Sequence, residues 1–201
     1  MTDLDRAAAT AAPITVKDPL AEFLGFKEGG TIQYTLEDAG RYAGHLCPTV
    51  ATAFEMARAG LKALWPTGTP VRGGVRVTVH SAPDAFANGP LGRVIGYITG
   101  AGGVEGFRGL AGHWSRQNLL RFDATAAPFG AVTFERADNG ARVVVEALAD
   151  ALPHEPDISA NLKPALAGDA GAHARFQAAW TRRVKAVIEH ADKVVRVTLP
   201  R

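Results

Sequence analysis

The chain is predicted to fold as an α+β domain, in which a mixed or antiparallel sheet with a β-hairpin is packed by two long helices. Three observations predict this. From Pro48 to Leu64, the residues Val50, Phe54, Ala57, Leu61 and Leu64 recur at three- and four-residue spacing and give a helix one buried face. Val75 to Val79 alternates apolar and polar residues, the pattern of a half-buried strand. Gly130 to Arg136 and Ala141 to Ala147 flank Asp138-Asn139-Gly140, and Asn-Gly supplies the positive φ angles that a tight hairpin turn needs.

The remaining elements follow in chain order. Residues 1–18 are expected as a flexible leader, with an Ala/Thr run, early acidic residues and no apolar signal core. Residues 19–201 are expected as a single domain. Pro19 to Gly30 suits a short amphipathic turn carrying Leu20, Phe23, Leu24 and Phe26, and Thr31 to Tyr34 a short strand. Thr35 with Asp38 three residues on forms a capping box, opening a helix through about Tyr42. Pro48 suits the first position of the next helix, where its missing N–H would have had no partner. Trp65-Pro66 ends that helix. Pro83 to Phe86 has the pattern of another helix start. Leu91 to Gly109 holds seven glycines, a density that marks tight turns or close approach to a ligand. No G-x-G-x-x-G follows a strand there, so a dinucleotide fingerprint is not credible. Asn118 to Phe122 suits a strand, and Pro153 to Asp169 a polar connector. A long helix is predicted over about 172–190, with Phe176, Trp180, Val184, Val187 and Ile188 on one face. A terminal strand over 194–199 completes the order.

Composition bounds the function. The chain has 201 residues, 47% hydrophobic and 21% charged, with a formal net charge of +2 and mixed signs along its length. That balance gives no reason to expect nucleic acid or an anionic membrane as partner. No apolar run approaches the roughly 18 residues of a membrane span. One cysteine excludes an intramolecular disulfide, and a cytoplasmic location is expected.

The residues with most chemical promise are His45-Leu46-Cys47-Pro48, where a helix begins. The first N–H groups and the dipole of that helix favour a thiolate at Cys47. Thiolate and imidazole are ligands for zinc, and also for iron and copper. Alternatively, Cys47 is a small buried hydrophobe and His45 a satisfied turn residue.

Gly-His-Leu-Cys-Pro, followed by a helix of small and apolar residues, resembles the E subunit of formylmethanofuran dehydrogenase and its relatives. In those, His-x-Cys-Pro-Gly opens a long helix, followed by a strand, a segment near Cys-x-x-Asp-Ala and a Gly-Cys-Thr turn leading into Gly-Asn-Leu. Here the counterparts are Val75 to Val79, Ser81-Ala82-Pro83-Asp84-Ala85, and Gly112-His113-Trp114 leading into Asn118-Leu119. The resemblance spans roughly residues 35–147. Ser81 and His113 stand where the pattern has cysteines, Thr49 replaces the glycine after Cys-Pro, and the C-terminal zinc-finger cysteines of some relatives are missing.

The resemblance implies one transition metal ion, zinc or iron. A ligand set can be assembled from His45, Cys47 and His113, with His80 at the strand end a further candidate. Three protein ligands plus water would leave an open position for a small-molecule substrate. For His80, the other reading is a strand-end histidine bonded to a nearby carbonyl. Asp84 is the expected proton acceptor or partner of a ligating imidazole, and would share a helix face with Asn88; otherwise it caps that helix. Trp114 and Arg116 are expected to line the ligand pocket, Arg116 meeting a carboxylate or phosphate. The alternative is a haem or tetrapyrrole binding protein with Cys47 or His113 as axial ligand. A third possibility is metal-free thiol chemistry at Cys47. The expected partners are a small molecule and, from the resemblance and the Phe176/Trp180 face, a second copy in a homodimer.

Overall fold

The computed structural model describes residues 1–199 and is an α+β fold. Helix α1 (Asp3–Thr10) leads into strand β1 (Ile14–Lys17), then α2 (Pro19–Phe23), β2 (Thr31–Tyr34) and α3 (Leu36–Ala43). The long helix α4 (Pro48–Leu64) is followed by β3 (Val75–Val79), α5 (Asn88–Thr99) and β4 (Leu120–Phe122). The hairpin of β5 (Val132–Arg136) and β6 (Arg142–Ala147) precedes α6 (Pro156–Leu166), α7 (Ala170–Glu189), α8 (Ala191–Val194) and β7 (Val195–Thr198). No helix among the described residues is long and apolar enough to cross a membrane.

β1 and β2 form an antiparallel pair, and the other strands make a five-stranded sheet in the order β4-β3-β5-β6-β7. Only β3 and β4 run parallel. Parallel neighbours need a crossover, and α5 supplies it. Helix α4 lies against β5, β6 and β7 and also touches α3, α5 and α7. That central position explains why its apolar residues go nearly all round: Val50, Ala51, Ala53, Phe54, Met56, Ala57, Leu61 and Leu64 are all buried. Gly60 lets α4 approach the sheet, since a Cβ there would lie 2.7 Å from the ring of fully buried Phe134. Gly60→Ala is therefore expected to destabilise the fold by ~1–3 kcal/mol despite alanine's better helix propensity, read as a lower urea midpoint.

Three expectations need correction. The first 18 residues carry α1, closed by a Thr2/Asp5 capping box with Ala7 and Ala8 buried, and strand β1. Alanines at Ala7 and Ala8 are small enough to pack α1 on α7, which is why no apolar stripe announced the helix. The expected connector 153–169 contains α6, started by Pro156 and tolerating Pro164 inside it. Pro83 does not start a helix. Residues 83–87 form turns, Phe86 has φ of 49°, and α5 begins only at Asn88 after the uncapped Ala87.

Candidate functional site

Helix α4 opens as its sequence requires. Pro48 occupies the first turn, and Cys47 is the N-cap with its Sγ 3.4 Å from the Val50 N–H. The thiol is buried, 9% exposed. His45 is exposed, with Nδ1 3.1 Å from the Ala43 carbonyl. His80 is buried and engaged at both nitrogens, Nδ1 with the Pro128 carbonyl at 3.2 Å and Nε2 with Thr133 Oγ1 at 2.8 Å. It matches the reading of a satisfied strand-end histidine. His113 is exposed just after the tight turn at Ala111-Gly112, where both residues have positive φ. Among the described residues, no three His, Cys, Asp or Glu side chains are grouped so as to hold a metal ion. The donor set brought together here therefore does not fit a centre with three protein ligands.

Asp84 is exposed on the turn before α5, where it neither caps that helix nor shares a helical face with Asn88. Trp114 packs on Phe23, ring centroids 4.5 Å apart. Arg116 is different. It is buried, 6% exposed, and lines a cleft of about 360 Å³ with Arg72, Arg93, Tyr97, Glu105 and Phe107. Neither Cys47 nor His113 borders this cleft.

The cleft follows from the glycine-rich stretch, whose two halves do different work. In α5, Gly92 accommodates Phe122 and Val79, and Gly96 the Ala101 carbonyl, so the helix lies close on β3 and β4. Gly100 then ends α5 in the left-handed conformation. Beyond it, the loop to β4 is closed by its own backbone: Gly102 N–H donates to the Arg116 carbonyl at 2.9 Å, and Arg116 N–H to the Phe107 carbonyl at 2.7 Å. Left-handed φ values at Ala111, Trp114 and Asn118 add conformational strain to this loop.

Arg116 reaches back through the fold. Its Nη2 donates to Asp18 Oδ1 at 2.7 Å, and Arg72 Nη1 donates to Asp18 Oδ2 at 3.0 Å. The same carboxylate caps α2, accepting from the Leu20 and Ala21 N–H groups. Arg72 also donates to the Tyr97 carbonyl at 2.9 Å. Arg116 Nε and Nη1 and Arg72 Nε are buried with no hydrogen-bond partner among the described residues. Burial pulls the Arg116 pKa below its ordinary value, while the Asp18 charge works against that. An arginine so placed remains a cation at neutral pH.

All three tyrosines of the chain gather here, Tyr42 and Tyr97 lining the cleft and Tyr34 buried against Tyr97. Tyr42 stacks on Tyr97 at 4.6 Å, and Tyr34 meets Tyr97 edge-on at 5.1 Å. Burial raises the Tyr34 and Tyr97 phenols above their ordinary pKa, so both stay neutral. Two guanidinium groups against one carboxylate, on a floor lined by glycine and beside aromatic rings, can accept an oxyanion through charge-assisted hydrogen bonds.

Of the residues around this cleft, the sequence singles out Arg116 and not Asp18, Arg72, Arg93 or Glu105. Asp18-Pro19 carried a readable N-cap signal, and Gly73 after Arg72 a turn signal, yet neither announces a partner 98 residues away. No protein-family model and no curated protein matches this chain.

Proposed function

We propose that this protein binds a small organic anion, a carboxylate or phosphate, in the cleft floored by Arg72 and Arg116. The observation that carries this reading is the excess of cation over anion: buried Arg116 and partly buried Arg72 share Asp18, with three guanidinium nitrogens unpartnered among the described residues. Unpaired buried donors cost about 1–3 kcal/mol each, more when charged, so a fold keeps them where something else supplies the acceptor. The cleft is also of a size that suits a small ligand.

Titration calorimetry at low salt with benzoate and with inorganic phosphate tests the proposal. Saturable one-to-one binding of at least one probe is expected. Arg116→Lys keeps a positive charge beside Asp18 but loses the planar fork, and should weaken that binding by about tenfold or more while near-UV circular dichroism stays native. Absence of saturable binding in the wild type, or unchanged affinity in both Arg116→Lys and Arg72→Lys, would overturn it.

A further inference from the structure

Glu105 and Arg93 face each other across the cleft, Arg93 at the second turn of α5 and Glu105 on the loop, with Nη1 and Oε1 2.6 Å apart. Both side chains are more than half exposed. An exposed pair of this kind contributes little to stability, a median of about 0–1 kcal/mol. Its position is therefore the informative property. Glu105 sits in a tight turn, with the Gly106 N–H donating to the Gly103 carbonyl at 3.0 Å, and a Cβ on Gly103 would crowd its carboxylate. The loop thus points one negative charge at the cleft.

We infer that Glu105 sets the charge of the ligand, making the cleft selective for singly charged anions over dianions. This rests on the anion-binding reading above. Counting Asp18 behind the floor, three guanidinium groups, of Arg72, Arg93 and Arg116, meet two carboxylates, leaving one uncompensated positive charge. One monoanion neutralises it. A dianion would leave the site negative, and would have to displace Glu105 from Arg93 to find a second cation. Glu105 stays ionised while it does this work, since its own backbone N–H and the Arg93 bond hold its carboxyl below the ordinary range.

The test compares benzoate with phthalate, a monocarboxylate with a dicarboxylate, on wild type and Glu105→Gln by calorimetry at pH 7.5 and low salt. Removing one nearby charge acts twice as strongly, in free energy, on a doubly charged ligand. Benzoate affinity is expected to rise ~3-fold and phthalate affinity ~10-fold, so the preference for benzoate narrows. If benzoate binds the wild type but both affinities change by the same factor, or neither changes, the role of Glu105 is refuted while the anion site stands. If neither benzoate nor phthalate binds either protein, the role of Glu105 is refuted, and the anion site falls with it when inorganic phosphate also fails to bind the wild type.

Discussion

Asp18→Asn should destabilise the protein by about 3 kcal/mol or more, the largest loss expected from any single polar substitution. Asp18 is 3% exposed and accepts four hydrogen bonds: two from the first turn of α2, one from Arg72 and one from Arg116. An asparagine oxygen can still cap α2. Its amide NH₂, however, must face a guanidinium, and buried Arg116 and partly buried Arg72 then have no countercharge. Urea denaturation at pH 7 measures the loss. The pH dependence gives a second reading of the same pair. Burial raises the Asp18 pKa, but the Arg116 charge, the Ala21 N–H and Arg72 outweigh it, so the folded value lies below the ordinary one. A group with a depressed folded pKa contributes stability that is complete above its unfolded pKa, about 3.9, and is lost as pH falls through the folded value. The stability gap between wild type and Asp18→Asn should thus be constant from pH 5 to 7 and shrink below about pH 4. A gap that persists unchanged at pH 2 would mean that the charge of Asp18 contributes nothing.

The elements legible in the sequence are those whose local chemistry and tertiary role agree. The Thr35/Asp38 box does cap α3, with the Asp38 N–H donating to Thr35 Oγ1 and the Thr35 N–H to Asp38 Oδ2. Pro48 does begin α4, and Val75 to Val79 does form a central strand. The chain does turn from β5 into β6 at Asp138-Asn139-Gly140, with the positive φ at Gly140 alone of the Asn-Gly pair. Illegible elements depend on partners far along the chain. Helix α1 fully buries two alanines and packs Leu4 only in part, so its packing is decided by the face of α7. Glycines 92 and 96 read as loop residues because helix propensity penalises them, yet they sit where α5 must touch β3 and β4.

The same division holds at the site. Arg116 stands out in the sequence beside a glycine-framed turn, and it does border a cleft, but the partner the fold gives it is Asp18. That pairing was not legible, since Asp18, Arg72 and Arg116 meet only after the β1–β2 pair, the chain before β3 and the loop after α5 have assembled. Proximity in sequence misled in the other direction. His45 and Cys47 are two residues apart, but the exposed imidazole bonds backward to Ala43 while the thiol turns inward to cap α4. A cap position satisfies a cysteine without any metal, which is why the motif alone carries less than its composition suggests.

Gly100→Ala should abolish anion binding and cost about 3 kcal/mol of stability, because two separate penalties fall on one methyl group. Gly100 has φ of 75°, and an L-residue there pays roughly 1–2 kcal/mol for the left-handed conformation. The new Cβ would also overlap Arg116 Nη1 and lie 2.9 Å from Arg72 Cγ. Neither arginine can yield without lengthening its bond to Asp18. Gly44→Ala separates the two penalties. Gly44 ends α3 with φ of 77°, nearly the same backbone strain, but nothing lies within 4 Å of its Cβ position. It should lose only ~1–2 kcal/mol in urea and bind benzoate like the wild type. Equal effects of the two alanines on benzoate affinity would show that the packing of Arg116 against Gly100 has no part in recognition, and would remove the reason for a glycine floor in this cleft.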